Sequence, residues 1–338
     1  MSRLQIRLFG PYLSAFSVHS YGYEPSNELK SVLKHPNFRF GPYSPTVSRG
    51  TPMKIDTDDQ DAAFTSTLLP VVEKAVFRMG VAGNYGIGSA DIVWAAEQGA
   101  NYWLWGASFK KVTEGVKAVI RQDRDKHVVA MLGWGFFGWQ IRQSVENALR
   151  KLNTDYLDVF KLGWLGRTSA YREGVVDALI KLKQEGKIKA IGISIHDRQR
   201  AGRLVQDSEI DLFMIRYNAK HPGAEQDIFP HLGKRNPAVV SYTALAWQQL
   251  TRPLKGVKMP PWPGAETLEV PPLTPELCYR FALTNPHIHV VLTGPRNREQ
   301  LKQNFAAIRR GPLTPQELSW VRAYGRLVKA GKKFDYLR

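Results

Sequence analysis

Cysteine is nearly absent: Cys278 is the one thiol in 338 residues. A lone cysteine excludes an internal disulfide and fits a reducing compartment. Uninterrupted apolar runs of about 18 residues or more are absent too, which excludes a helical membrane span. Acidic residues are scarce beside basic ones, 30 against 47, for a formal net charge of +17. That imbalance says nothing about fold. It narrows partners to anions such as nucleic acid, acidic protein or phosphorylated ligands, with a plainly solvated basic surface as the alternative. A metal-ligand cluster is also missing. His287 and His289 share a strand face without a third ligand, so no metal is expected.

Residues 1–52 are rich in Pro, Gly, Ser and Tyr and show little periodicity. The expected organisation is an extension of little order over residues 1–70, followed by one folded domain over 71–338. A cytoplasmic location is expected from the missing signals. The alternative is an organelle, because residues 1–23 carry Arg3, Arg7 and several serines with no acid, as transit peptides do. Met53, ahead of an acidic run, is a second candidate start.

From about residue 75, apolar runs alternate with amphipathic ones. The runs "AVFRMGVAG", "ANYWLWG", "HVVAMLG", "YLDVFKLGW", "IKAIGIS", "IDLFMIRYN", "AVVSYTAL" and "HIHVVLTG" read as strands. Each is followed by a helical pattern; "SADIVWAAEQG" has Ser89 or Asp91 as its cap, and "TPQELSWVRAYGRLVKAG" closes the series with Glu317 at capping-box spacing from Thr314. Regular βα alternation implies parallel strands, and eight units predict a closed (β/α)8 barrel of the α/β class. A doubly wound sheet is the alternative, and Gly133–Gly138 ("GWGFFG") spells its G-x-G-x-x-G. The acidic residues that follow, Asp155 and Asp158, stand at the start of the next strand. A ribose-binding acid belongs at the far end, so the motif is set aside.

Several segments, in order, resemble the aldo-keto reductases. "SVENALRKLNTDYLDVFKLGW" is similar to that family's helix–strand unit, and "ALIKLKQEGKIKAIGIS" to the unit ending in its fifth strand. "RMGVAGNYGIG" resembles the opening strand, "VVSYTAL" the seventh, and "VVLTGPRNREQLKQNFAAI" the C-terminal nucleotide-phosphate segment. The resemblance covers Val76 to Ile308. It implies hydride transfer from a nicotinamide to a carbonyl, with a Tyr as general acid tuned by Asp and Lys and a His orienting the carbonyl.

At the four positions that this resemblance assigns to the chemistry, the sequence departs from the family. Leu104 stands for the Asp, Phe109 for the Tyr, Gly133 for the Lys and Gly163 for the His. None of the four carries a proton to give. Lys161, two residues before Gly163 on the same strand face, is the one reactive group left nearby; a depressed pKa would make it a Schiff-base nucleophile. Arg216 has the same relation to Met214 on its strand.

The resemblance implies a weakened site for NADP(H) or NAD(H). Tyr242 matches the aromatic that stacks on nicotinamide, with Thr243 and Leu245 beside it, and Ser194 matches one of three carboxamide partners. Ile195 and Met214 replace the other two. Gly294, Arg296, Gln303 and Asn304 match the phosphate and adenine end, where a basic loop enters a helix N-terminus, and Gln300 stands where the family often has an Arg for the 2′-phosphate, with Arg296 and Arg298 nearby. Trp103, Trp105, Phe109, Trp134, Phe136, Phe137, Trp139, Trp164 and Trp247 are expected near the strand C-termini, where an aromatic ligand would sit or where core rings fill vacated space.

Three readings follow. The leading one is a pseudoenzyme that binds a nucleotide or aromatic ligand as a sensor or scaffold. The second is an active NAD(P)H-dependent oxidoreductase with a rewired site, and the third a basic module for nucleic acid or an acidic protein. The sequence specifies no oligomeric state.

Overall fold

The barrel strands are runs of four to eight residues dominated by Val, Ile, Leu and aromatics. In the computed structural model, which describes residues 64–254, 259, 261–264 and 270–331, they are preceded by a hairpin. Its strands are β1 (Ser66–Leu69) and β2 (Lys74–Phe77), paired antiparallel. The barrel strands are β3 (Met79–Ala82), β4 (Tyr102–Trp105), β5 (Val128–Gly133), β6 (Leu157–Leu162), β7 (Ile188–Ile195), β8 (Leu212–Arg216), β9 (Ala238–Tyr242) and β10 (Val290–Thr293). All pair in parallel and close in the order β10-β3-β4-β5-β6-β7-β8-β9.

The intervening helices are α1 (Ser89–Glu97), α2 (Lys110–Gln122), α3 (Gly138–Leu152), α4 (Glu173–Gln184), α5 (Arg198–Leu204), α6 (Ala224–Asp227), α7 (Pro275–Thr284) and α8 (Arg298–Ile308). A 3-10 turn (Phe229–Lys234) continues α6, and α9 (Pro315–Ala330) ends the described chain. The helix ends follow local chemistry. Thr314 accepts from the Glu317 amide while Glu317 accepts from the Thr314 amide, a complete capping box for α9. The cap of α1 is Gly88 rather than Ser89 or Asp91. Asp91 reaches back to the Gly88 amide (2.9 Å), and Ser89 Oγ instead accepts from the Gly115 amide, tying α1 to α2.

The extension expected over residues 1–70 lies outside the described residues up to 63. Its last stretch departs from the expectation, because Ser66–Leu69 is paired strand. Leu69 and Val76 bury into the barrel's inner core, so the hairpin caps the interior where it leads into the N-terminal end of β3. Below it, Arg78 donates to the carbonyls of Phe64, Leu283, Ile288 and His289, a buried cation satisfied by backbone alone.

Two cores divide the strand residues by alternation. Tyr102, Leu104, Val128, Ala130, Leu132, Val159, Ala190, Leu212, Met214 and Val240 fill the barrel. Trp103, Trp105, Val129, Met131, Phe160 and Leu162 face the helices. Asp158, which follows the G-x-G-x-x-G segment, is buried at the foot of β6. It accepts from Lys74 (2.7 Å), Arg124 (2.8 Å) and the Val129 amide (2.8 Å), which is a structural brace.

Candidate functional site

The C-terminal strand ends form a mouth whose floor is apolar. Leu104, Leu132, Met214 and Leu292 point inward there, each more than nine-tenths buried. Of the four positions singled out by the sequence, Leu104 lies in this floor. Phe109 is buried with the helix-side core, at the start of α2, where its carbonyl accepts from Thr113.

Gly133 does not face the barrel. A Cβ there would lie 2.6 Å from the Phe160 ring, on the helix side, so the inward residue at this strand end is Leu132. The assignment of Gly133 to the inward position is therefore one residue out of register. At Gly163, a Cβ would stand 2.7 Å from the Trp134 indole nitrogen and 3.0 Å from the Gly133 carbonyl. The indole takes the space that a side chain at 163 would need.

The polar groups of the mouth stand above that floor on three neighbouring strands. Ser194 pairs in register with Met214, and Arg216 with Tyr242. His196, two residues beyond Ser194, continues its side of β7 and meets the Tyr242 hydroxyl at 3.1–3.2 Å. Burial, with Arg216 and Arg167 nearby, pushes His196 down to about 4, so it is neutral at physiological pH. Burial pushes Tyr242 up to about 12, with Arg216 opposing. Ser194 Oγ is fully buried and makes no hydrogen bond of good geometry. His196 escaped the sequence reading. The signal was there in its alternation with Ser194, but no motif marked it.

Lys161 lies inside the barrel, fully buried, its Nζ 3.4 Å from the Tyr102 hydroxyl and 5.5 Å from that ring's centre. Burial lowers it to about 7. Lys161 pairs in register with Leu132, a residue of the apolar floor.

At the opposite side of the mouth is the loop from β10 to α8. Tyr85 lies over Gly294, where a Cβ would come within 2.3 Å of its ring, and Gly86 packs on the Arg296 backbone. Arg296 and Gln303 are exposed. Gln300 folds back to accept from the Arg296 amide, and Asn297 caps the Gln300 amide. Asn304 turns inward and donates to Thr293 Oγ1 (2.8 Å), which ties it to the core. Thr243 bonds its own strand end through the Tyr242 carbonyl, Leu245 is half-buried, and Ile195 packs with the helix-side core.

The aromatics separate into two groups. Trp103 and Trp105 are not at the mouth. Alternation turns them toward the helices, where they donate to His127 Nδ1 and Thr113 Oγ1. By contrast, apart from Leu68, every exposed large apolar side chain among the described residues follows a strand C-terminus. These are Tyr85, Phe136, Phe137, Trp139, Trp164 and Trp247. Trp134 is half-buried, edge-on to Trp164 at 6.5 Å. Trp164 and Trp247 are held at positive φ, 41° and 54°, a conformation that costs an L-residue about 1 kcal/mol or more. At the far end of the barrel, His289 accepts from the Val239 amide and His287 packs on Phe229. Among the described residues no His, Cys, Asp and Glu group could hold a metal, and no helix is long and apolar enough to cross a membrane.

Comparison with known proteins places this architecture. A family model described as the aldo/keto reductase family matches residues 105–256. Methylglyoxal reductase YeaE of Escherichia coli is 33% identical over 116 residues, which is 33% of this chain and 40% of that protein. L-galactose dehydrogenase of Arabidopsis thaliana is 25% identical over 227 residues, 60% of this chain and 69% of that one. The aldo-keto reductase AKR11C1 of Bacillus halodurans superposes with a TM-score of 0.63 at 21% identity, over 81% of this chain and 99% of its own. A Klebsiella pneumoniae aldo-keto reductase solved with NADPH gives 0.58 at 22%, over 75% and 93%. At these identities the superpositions speak for the fold alone. Joined to the family match, which runs from the last residue of β4 through β9, they show what this chain is similar to: the aldo-keto reductases, in sequence over residues 105–256 and in fold over the barrel.

Proposed function

We propose that this protein is an aldo-keto reductase relative that binds a nicotinamide nucleotide or a flat aromatic ligand in its mouth, without the family's proton-donating step. It acts as a sensor or scaffold. The observation that carries this reading is the apolar floor, with Leu104 and Leu132 inward and the Trp134 indole beside Gly163. A carbonyl oxygen resting there meets hydrocarbon where the family's chemistry needs a donor. Loss of one general acid costs about two to four decades of rate.

The residues fit a nicotinamide nucleotide in part. The orphaned Ser194 hydroxyl wants a partner, and a carboxamide beside Tyr242 would supply one. Arg296 is exposed at the N-terminus of α8, free to meet a phosphate. Met214 and Ile195 add no polar contact, and Asn304 is already engaged, so the hold is weaker than a full set of partners gives. When bound, a reduced nicotinamide supplies a hydride; Ser194 and Tyr242 would orient the ring. Calorimetric titration with NADPH and NADH tests this. Saturable binding at one site, weakened by Ser194→Ala and by Arg296→Gln, is expected, and no heat up to millimolar nucleotide would overturn the nucleotide arm.

One observation favours the second reading, an active reductase with a rewired site. The Tyr242 hydroxyl and the neutral His196 ring form a hydrogen-bonded pair at the mouth, two groups able to hand on a proton. The relatives named as methylglyoxal reductases accord with it. It requires carbonyl-dependent NADPH oxidation that falls in Tyr242→Phe.

A further inference from the structure

We propose that the mouth is built for a planar aromatic carboxylate, whose carboxylate pairs with Arg216 while its ring lies among Trp134, Trp164 and Trp247. This deepens the reading above and rests on the mouth being the ligand site.

Arg216 ends β8 in register with Tyr242, on the strand between His196 and Tyr242, and is half-buried. The two groups that flank it on the neighbouring strands, His196 and Tyr242, are neutral. Most half-buried arginines of the barrel meet a carboxylate: Arg124 meets Asp158, Arg142 meets Glu185, and Arg322 meets Glu225. Arg216 has no ion pair among the described residues; its marked contact is the face of Trp247, 5.8 Å from the ring centre. Arg167, on the loop after β6, also has no ion pair among them and adds to the field on His196 and Tyr242. A guanidinium withdrawn from water without a counter-charge is costly, and a bound anion removes that cost.

A second feature points to a ligand independently. Ser194 Oγ is fully buried, lies close enough to the Tyr242 hydroxyl to lower its pKa, and makes no hydrogen bond of good geometry. A carboxylate on Arg216 would have donors at hand in the Tyr242 hydroxyl and Ser194 Oγ. The guanidinium fork matches a planar carboxylate with two parallel bonds.

The apolar half of the ligand is argued from the rings. Trp134 and Trp164 stand edge-on at 6.5 Å, on the loops after β5 and β6, and Trp247 stands on the loop after β9. Aromatic faces of this kind take a flat ring by offset stacking. In the closed strand order β6 lies across the barrel from β10, so the Trp134–Trp164 pair stands away from the Arg296 loop.

The test titrates the full-length protein with 2-naphthoate and with its neutral analogue 2-naphthamide, read by tryptophan fluorescence and calorimetry. Naphthoate should bind about tenfold tighter or more. That preference should vanish in Arg216→Gln, shrink in Arg216→Lys, which keeps the charge but loses the fork, and persist in Arg310→Gln at a distant surface. Trp164→Ala should weaken both ligands alike. Equal affinity for the two ligands overturns the proposal, as does a preference that survives Arg216→Gln. Should Arg216→Gln fail to fold, the lysine variant decides: an undiminished preference there also overturns it. NADPH binding without a naphthoate preference would sink this inference alone; a naphthoate preference without NADPH binding would sink the nucleotide arm alone.

Discussion

Replacing Lys161 with methionine should stabilise the protein at neutral pH. Lys161 is fully buried, its Nζ meets the Tyr102 hydroxyl and ring, and it has no ion pair among the described residues. Burial lowers its pKa from 10.5 to about 7. The unfolded chain therefore holds this proton up to about pH 10.5, and the folded chain only below about pH 7. Between those values the unfolded state binds more protons, so stability rises with pH; at pH 7 and below the penalty is fully present. A gap of about 3.5 pH units, at about 1.4 kcal/mol each, is about 5 kcal/mol. Methionine fills a similar volume but leaves the Tyr102 hydroxyl alone, at about 1–3 kcal/mol. The net gain is then about 2–4 kcal/mol at pH 7, shrinking to within about 1–2 kcal/mol of zero at pH 9.5. Urea denaturation of both proteins at the two pH values reads this directly. An unchanged difference between pH 7 and 9.5, or a loss of stability at pH 7, would refute the assignment of Lys161 as an uncompensated buried amine.

Other outcomes follow from the same geometry. Gly163→His should cost about 1–3 kcal/mol by overpacking against Trp134, and the double variant with Trp134→Ala should recover part of it in thermal melts. Asp158→Asn breaks a buried brace that meets Lys74 and Arg124; a loss of about 3–5 kcal/mol in denaturant titration is expected. His127 and His196, both pushed down to about 4, stay neutral in the folded state where the unfolded chain protonates near 6.5. Stability should therefore be full above about pH 6.5 and fall toward pH 4, and NMR titration should find both rings unprotonated at pH 5.5.

The barrel was legible because each strand is a short apolar run bounded by turns and each helix carries one apolar stripe. The α9 capping box was readable for the same local reason. Register was not local. Gly133 and the Trp103–Trp105 pair were set on the mouth side, yet one step of alternation turns all three to the helices. The hairpin at Ser66–Leu69 escaped because "STLL" is too short to show a period. His196 and Arg167 escaped for another reason: each matters through the strands and loops that meet it at the mouth, which sequence spacing does not display.

The central claim is that the mouth binds without reducing. Its most direct test is to mix the purified protein with NADPH and a panel of aldehydes and 2-oxo acids, and to follow the loss of nicotinamide absorbance at enzyme concentrations above that of the nucleotide. The account predicts bound NADPH with no carbonyl-dependent oxidation over hours. A single turnover at a rate that Tyr242→Phe abolishes would contradict it and make the Tyr242–His196 pair the working acid.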